Sequence, residues 1–284
     1  MAAKETKLGD SDYRFLERFL DATKSNLFFA KGVVIAEGDA ENILLPTIAR
    51  LMGRDFTDYG VSIVNVGGVG LRRYANIFQR ADENANPLDV PVSCITDIDV
   101  MPDCAPMICL NSVTSDDRTT WPPNRNWKTT SDFQPGELEE RRKEIEAKAN
   151  GQRVKSFVAE HWTLEYALAR AGLAREVYIA AKQAIKDGSN VPAAKDMSEV
   201  TSDAENYFDG TVAELATQEL IASTVYSEFT TGTMASKAIA AQYLAESLER
   251  TFKGEPDRLK DALPQYLTQA IEYVTEPLTP PAGN

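Results

Sequence analysis

An apolar segment that ends in an acidic residue constrains the fold of this chain more than any other feature. Residues 32–36 read Gly-Val-Val-Ile-Ala, and Glu37 follows directly. Short continuous apolar runs rich in β-branched residues are typical of strands in parallel sheets, which are covered on both faces. We predict Asp39 as the N-cap of a helix over about 40–52, with Glu41 in its first turn. Open α/β sheets build their sites at the carboxyl ends of strands, so both glutamates are candidate site residues.

Two later segments repeat this strand-to-helix order. Residues 61–66 enter the glycine-rich turn 67–70, which lacks the lysine and hydroxyl residue of a P-loop and does not match G-x-G-x-x-G. We interpret this turn as a sharp bend with close backbone approach. Residues 92–100 form a third predicted strand that contains Asp97 and Asp99. Because residues two apart on a strand point the same way, both carboxylates are predicted to face one side, where they ionise together only with a cation between them.

A fourth predicted strand, near 153–158, is followed by Thr163 and Glu165 at the start of a helix. This places a hydroxyl and a carboxylate at the same type of strand end as before. The structural alternative is that Thr163 caps the helix and Glu165 favours its positive end. The alternation of strands and helices predicts an α/β fold with a mostly parallel sheet.

The pattern changes after this strand. Helical periodicity predicts helices near 174–187, 210–229, 233–252 and 256–274, with the longest polar linker over 188–209. We therefore divide the chain into 1–30, a tail and helix; 31–172, the α/β core with the acidic strand ends; and 173–284, an all-helical region that completes or flanks the core.

Lys237 lies beside an apolar stripe on the third of these helices. No acidic residue lies within four positions of it, whereas lysines on solvated helices usually have carboxylate neighbours at that spacing. The spacing is consistent with a lysine left for another partner, and equally with an unpaired surface lysine.

Composition limits the chemistry. The chain has 284 residues, one histidine, three cysteines without C-x-x-C spacing and a net charge of −13. A zinc site, a disulfide framework and a histidine-based nucleophile are therefore disfavoured, and any metal must be held by oxygen ligands, as Mg²⁺, Mn²⁺ and Ca²⁺ are. The acidic balance disfavours nonspecific DNA binding but does not exclude a nuclease whose carboxylates recruit cations. No secretory leader or membrane-spanning run is present, which predicts a cytoplasmic protein without a membrane partner.

Residues 101–134 read as a long loop, in which basic residues alternate with tryptophans. Arg118, Arg125 and Lys128 are candidate DNA-binding residues, because basic and aromatic side chains together suit backbone and base contact. The alternative is a solvated loop anchored by buried tryptophans.

The four motifs together resemble a known module. In order they are GVVIAEGDAENILLP, VSIVNVGG, TDIDV and HWTLEYALA. The acid after the first strand and the DxD after the third resemble a Toprim domain, the catalytic module of topoisomerases, bacterial primases and several nucleases. The whole set resembles the C-terminal half of OLD (overcoming lysogenization defect) family nucleases, over about 30–172 and extending to Lys237. The implied fold is α/β, a Toprim-like (Rossmann-like) mostly parallel sheet flanked by helices, with an additional all-helical subdomain.

The resemblance implies a metal-dependent DNA endonuclease that uses two Mg²⁺ or Mn²⁺ ions, with Ca²⁺ as a non-catalytic substitute. The implied metal ligands are Glu37, Glu41, Asp97, Asp99, Glu165 and, less directly, Thr163. The implied catalytic residues are Glu37, Asp97 and Lys237, the last as a transition-state lysine. In the family an ABC-type ATPase precedes the Toprim module, so such a region and oligomerisation through it are expected partners where the full-length protein contains one.

Other interpretations remain open at this point. A topoisomerase would need a tyrosine nucleophile in a further domain, and a primase would need polymerisation and zinc modules. A phosphatase of the haloacid dehalogenase type would need threonine or valine where Met101 stands, and it would leave Glu37 without a role. A DNA-binding or interaction module that is inactive without a separate ATPase is the last alternative.

Overall fold

The strands form one main sheet at the centre of the molecule. The structure, a computed structural model, describes residues 5–19, 24–67, 70–188 and 195–276. Its strands are β1 (Gly32–Ala36), β2 (Val61–Asn65), β3 (Val92–Thr96), β4 (Val100–Met101), β5 (Lys128–Thr129) and β6 (Val154–Val158). Within these residues β2, β1, β3 and β6 pair in that spatial order, all parallel, while β4 and β5 form a separate parallel pair. The predicted parallel α/β sheet is confirmed.

Helices cover both faces of this sheet and extend beyond it. The α-helices of the described residues are α1 (Asp10–Phe19), α2 (Asp39–Leu51), α3 (Phe56–Tyr59), α4 (Leu71–Ile77), α5 (Ala105–Cys109), α6 (Glu137–Ala147), α7 (Leu164–Leu168), α8 (Ala174–Asp187), α9 (Met197–Tyr207), α10 (Gln218–Ser227), α11 (Lys237–Phe252), α12 (Pro256–Asp261) and α13 (Gln265–Val274). None of these helices is long and apolar enough to cross a membrane.

Side chains of β1 alternate between two apolar clusters, as the pleat of a strand requires. Val33 and Ile35 belong to the cluster under α1 and α4, whereas Val34 belongs to the larger cluster formed with the later helices. All three are buried. The central strand is therefore covered on both faces, which is why its sequence is continuously apolar.

The later helices pack directly on the first half of the chain. α11 lies against α2 and α8, and α13 lies against β3, β6 and β1. The Ser93 hydroxyl in β3 donates a hydrogen bond of 2.8 Å to the Ala270 carbonyl of α13. Leu267 and Ile271 of α13 are fully buried. The helical region thus joins α2 in one of the two layers that enclose the sheet.

Several predicted boundaries were wrong. α2 begins at Asp39 with Gly38 as its N-cap, so Asp39 is not the cap. The predicted linker 188–209, apart from 189–194, which lie outside the described residues, contains α9, whose cap is a reciprocal capping box between Asp196 and Glu199. Predicted helix 256–274 is interrupted before Pro264, the N-cap of α13. In the last two cases a polar or proline cap decided the boundary where apolar periodicity did not.

Candidate active site

Glu37 and Thr96 meet at the point where the strand order of the sheet reverses. β1 lies between β2 and β3. The chain passes from β1 to β2 on one side and then returns across β1 to β3 on the other side. The crevice between β1 and β3 is therefore the switch point at which such sheets bind ligands. Glu37 follows β1, and the Thr96 hydroxyl at the end of β3 donates a 2.9 Å hydrogen bond to Glu37 Oε1. Burial raises the pKa of Glu37, and the Thr96 bond acts against this rise.

Glu41 folds back over the turn that precedes α2. It lies in the first turn of that helix and is 9% exposed. A Cβ at Gly38 would stand 2.6 Å from Glu41 Oε2, so the carboxylate occupies the space that a side chain at Gly38 would need. Burial raises the pKa of Glu41, and repulsion from Glu165 adds to the rise.

Asp97 and Asp99 lie beyond the strand rather than on it. β3 ends at Thr96, so the prediction that both residues lie on the third strand was wrong, and strand alternation does not set the direction of their carboxylates. Asp97 is partly buried, and burial, followed by repulsion from Glu41, raises its pKa well above the usual value. Asp99 is exposed with a φ of 55°, and its N–H donates to the Trp162 carbonyl at 3.3 Å.

Lys237 has an acidic partner after all, and it is distant in sequence. Its Nζ lies 2.8 Å from Oε2 of Glu165. The carboxylate belongs to the first turn of α7 and its side chain is 8% exposed, whereas that of Lys237, the first residue of α11, is 46% exposed. Burial alone would lower the pKa of Lys237, but attraction to Glu165, Tyr226 and Asp97 and the hydrogen bond to Glu165 together outweigh burial and raise it. The lysine therefore holds its positive charge at this edge of the sheet.

These side chains line one cavity of about 540 Å³. Its lining comprises Glu37, Gly38, Asp39, Ala40, Glu41, Gly67, Asp97, Leu164, Glu165, Ser236, Lys237 and Ala238. Five of the residues that the sequence analysis singled out are thus brought together. Asp99 and Thr163 are not in the lining, although Asp99 is close enough to raise the pKa of Glu37. Thr163 is buried at the N-cap position of α7, where its side chain makes no capping hydrogen bond.

Sequence reasoning missed two residues of the cavity lining and one buried tyrosine that interacts with Asp97. Asp39 lines it and accepts a 2.6 Å hydrogen bond from Asn65 Nδ2, and Ser236 lines it beside Lys237. Asp39 could have been found from its position two residues after Glu37, but it was interpreted as a cap. Tyr266 is buried on α13 close enough to Asp97 for the two groups to interact electrostatically. No local signal points to it, because 169 positions separate the two residues in the chain.

The predicted DNA-binding residues form a separate cluster. Arg125 lies 4.7 Å from the Trp127 ring centroid and contacts Asp132 at 2.5 and 2.6 Å. Arg118 contacts the same carboxylate at 2.6 Å, and Lys128 lies over the Phe133 ring at 5.3 Å. Both arginines therefore already hold an acidic partner within the protein, an arrangement that organises the segment around its tryptophans. Their role toward DNA stays a prediction.

The donor set fits a hard divalent cation. The cavity offers oxygen donors from Glu37, Glu41, Asp97 and Glu165, which is the ligand chemistry of Mg²⁺ and Mn²⁺. The raised pKa values of Asp97 and Glu41 reflect mutual repulsion as well as burial, a conflict that a cation relieves. Among the described residues no group of three His, Cys, Asp or Glu side chains is close enough to hold an ion as it stands. Ion binding would therefore require these carboxylates to turn toward one another.

Comparisons with known proteins agree with the motifs. Residues 28–99 match the family model of the overcoming lysogenization defect protein-like Toprim domain. The C-terminal region of the Burkholderia pseudomallei OLD protein shares 21% identity, covering 89% of this chain and 100% of that chain with a TM-score of 0.48. The corresponding region of the Xanthomonas campestris pv. campestris OLD protein shares 19% identity, covering 88% and 95% with a TM-score of 0.46.

No curated relative matches the chain significantly. The family model spans β1 to β3 and ends at Asp99, so it includes the first two acidic motifs, while Glu165 and Lys237 are joined to them by geometry alone. The resemblance inferred from the motifs is confirmed: residues 28–99 of this chain match the Toprim domain of the OLD-like family.

Proposed function

We propose that the chain is a metal-dependent DNA endonuclease that hydrolyses phosphodiester bonds by a two-metal mechanism with Mg²⁺ or Mn²⁺. One observation carries the proposal: at the switch point of a parallel sheet, one cavity gathers the carboxylates of Glu37, Glu41, Asp97 and Glu165 with the ammonium of Lys237. Carboxylates from different chain segments around one cavity are what two neighbouring divalent ions require. Ca²⁺ would bind the same oxygens as a non-catalytic substitute.

Each residue has a defined role in this proposal. Glu37, Glu41 and Asp97 would hold one ion with Asp99 at the rim, and Glu165, supported by Thr163, would hold the other. Bound ions of this kind supply an activated water and neutralise the negative charge of the scissile phosphate. The Thr96 hydroxyl orients Glu37 by donating to Oε1.

Lys237 supplies a fixed positive charge at the cavity. Its Nζ is held by Glu165 at 2.8 Å and lies 5.4 Å from the centroid of the Tyr226 ring. A cation that is already oriented stabilises negative charge developing on a phosphate oxygen without further reorganisation. We assign Glu37 and Asp97 together with Lys237 as the catalytic residues.

The net charge of the chain affects how it would bind a DNA substrate. With a net charge of −13, the chain gains little from phosphate contacts alone, so its binding to DNA should depend strongly on divalent cations. Arg118, Arg125 and Lys128 remain candidate DNA contacts, outside the cavity. An ABC-type ATPase region, where the full-length protein has one, would be the partner through which it oligomerises, and the cytoplasm would be the compartment.

The test is nicking of supercoiled plasmid in Mg²⁺ or Mn²⁺. Glu37→Gln and Asp97→Asn should each lower the nicking rate by about 100-fold or more, as loss of a preorganised charged group in an active site does. Asp58→Asn is the matched control, because Asp58 is an exposed acid of α3 that lies outside the cavity lining. Circular dichroism would establish that all three variants fold. Undiminished nicking by either cavity variant contradicts the proposal.

A second candidate is a DNA-binding module that cleaves only with a separate ATPase region. It is favoured by one observation, the absence of a preformed three-ligand cluster among the described residues. Cation binding without nicking would support this module, whereas nicking by the isolated chain would exclude it. Ligation of the nicked product or primer synthesis would instead indicate another Toprim activity, that of a topoisomerase or a primase.

A further inference from the structure

Tyr266 carries a buried hydroxyl without a hydrogen-bond partner. The residue is 3% exposed, and its Oη contacts no hydrogen-bonding group among the residues that the structure describes. Buried polar atoms are nearly always paired in folded proteins, so each orphan calls for an explanation. Phenylalanine would fill the same space without leaving a polar atom unpaired, which makes the hydroxyl itself the feature to explain.

The backbone of Tyr266 is firmly positioned. It is the second residue of α13, and its N–H donates a 2.9 Å hydrogen bond to Oε1 of Glu160, in the segment after β6. α13 itself packs on β3, the strand that ends just before Asp97. Val158 of β6 pairs with Thr96 of β3, and the Ala159 N–H donates to the Thr96 carbonyl at 3.0 Å. The bond to Glu160 therefore places the start of α13, and Tyr266 with it, beside the end of β3 from which Asp97 follows.

The Tyr266 hydroxyl lies within electrostatic range of the acidic residues. Burial raises the pKa of Tyr266 well above its usual value, and the charges of Asp97 and Glu41 add to the rise. The group is thus a neutral O–H donor beside carboxylates that can only accept. Its burial also excludes attack on DNA by this tyrosine, since no substrate phosphate can reach the oxygen.

We propose that the Tyr266 hydroxyl donates a hydrogen bond to the Asp97 carboxylate once a divalent cation draws that carboxylate into position. This inference rests on the proposed metal-dependent function and assigns Tyr266 as a positioning residue of its cation site. The orphan hydroxyl then has a partner in the cation-loaded state. Hydrogen bonds that orient ligating carboxylates are commonly worth 10- to 100-fold in metal affinity.

Tyr266→Phe tests this inference, with Tyr273→Phe as the matched control on the same helix. The Tyr273 hydroxyl donates to the Arg153 carbonyl at 3.1 Å, so that residue differs in having a partner already. Mn²⁺ affinity is measured by calorimetry without DNA, and thermal unfolding is followed in EDTA. Tyr266→Phe should weaken Mn²⁺ binding by about 10-fold and leave the metal-free Tm unchanged or higher. Tyr273→Phe should lower the metal-free Tm and leave Mn²⁺ affinity unchanged.

A double variant shows whether the effect passes through Asp97. Groups that act through one another are non-additive, so adding Tyr266→Phe to Asp97→Asn should weaken Mn²⁺ binding no further than Asp97→Asn alone. Additive losses would overturn the assignment to Asp97.

The remaining outcomes separate this inference from the proposed function. Unchanged Mn²⁺ affinity in Tyr266→Phe, or its failure to fold, overturns the inference while wild-type nicking still supports the nuclease. If wild type binds Mn²⁺ tightly, Tyr266→Phe binds it about 10-fold more weakly and neither nicks DNA, the inference stands and the proposed nuclease fails. No Mn²⁺ binding by wild type overturns both.

Discussion

Asp97 carries the strongest electrostatic conflict among the cavity side chains. Burial disfavours its ionised form, and Glu41 and Glu165 repel it, while Lys237 offsets part of the repulsion. Glu37 differs because the Thr96 hydroxyl stabilises its charge. Active sites commonly retain such destabilising charges because the ligand, rather than the fold, relieves them. Stability and ion binding are therefore expected to respond oppositely to changes at Asp97.

Asp97→Asn should raise the thermal stability of the metal-free protein at pH 8. Because the folded-state pKa of Asp97 is raised, the folded protein binds more protons than the unfolded chain between the ordinary aspartate pKa and the raised value. The unfolding free energy of the wild type thus falls as pH rises through that window. The uncharged asparagine side chain of the variant does not ionise, so this part of the loss of stability is absent. Melting curves in EDTA should show the advantage of Asn shrinking as pH is lowered. A variant less stable than wild type at pH 8 would contradict this account.

His161 provides a second residue-level prediction, since it is the only histidine in the chain. Although the residue is partly exposed at the surface, desolvation of the imidazole, aided by the positive charges of Arg170 and Arg142, lowers its pKa to about 4. Its contribution to stability is therefore complete above the unfolded value of about 6.5 and is lost as pH falls toward 4. Because no other imidazole is present, the chemical shifts of the His161 ring protons in an NMR pH titration give this pKa directly. Titration near 6.5 would be the contrary result, and His161→Gln should remove the corresponding slope in stability.

At the level of elements, the strand–turn–helix unit formed by β1 and α2 places two of the acids. Glu37 leaves the strand, Gly38 makes the turn, and Glu41 returns over it from the first helical turn. The second contribution comes from α7 and α11, whose first turns meet through the Glu165–Lys237 pair. Both units place charged side chains at helix beginnings, so small shifts of a helix start move the cavity wall.

Gly38→Ala should weaken divalent-ion binding while leaving the fold intact. The added Cβ would stand 2.6 Å from Glu41 Oε2, and the flexible end of Glu41 can move away at little cost to stability. Gly210→Ala is the matched control, because a Cβ there meets no atom within 4 Å. Calorimetric titration with Mn²⁺ should give weaker binding for the first variant and wild-type affinity for the second. Equal affinities would show that the position of Glu41 does not matter for binding.

For the molecule as a whole, the later helices complete the sheet rather than form a body beside it. α13 covers β1, β3 and β6, and α11 lies against α2. One apolar cluster accordingly contains residues from the first strand through Val274. The cavity inherits this arrangement, since its lysine and the orphan tyrosine both come from the helical region.

Ile271→Ala should destabilise the sheet and the helical region together. Ile271 is fully buried on α13, and truncation of such a residue costs about 2–5 kcal/mol of unfolding free energy. Gln269→Ala on the exposed side of the same helix should be close to neutral. Denaturant unfolding followed by circular dichroism and by tryptophan fluorescence should give coincident transitions in both variants. Two separate transitions would show that residues 173–284 unfold on their own.

Much of the sheet and half of the site were predictable from local sequence. Apolar runs that end in Glu37 and Asp97 identify the strands and the acidic residues at their carboxyl ends, because strand burial and turn formation depend on neighbouring residues. The DxD geometry was not predictable, since it depends on where β3 stops and on the backbone turn at Asp99. Helix boundaries after residue 188 failed for a related reason, as caps outweighed periodicity.

By itself the sequence determined the α/β order, the acidic strand ends and the resemblance to the OLD-like Toprim family. Only the tertiary structure decided that Lys237 pairs with Glu165, 72 positions away, and that Tyr266 comes close enough to Asp97 to interact with it electrostatically. The physical reason is the distance along the chain over which each interaction acts. Hydrogen bonding and side-chain periodicity act over a few residues, whereas the meeting of α7, α11 and α13 at one edge of the sheet follows from burying their apolar faces together.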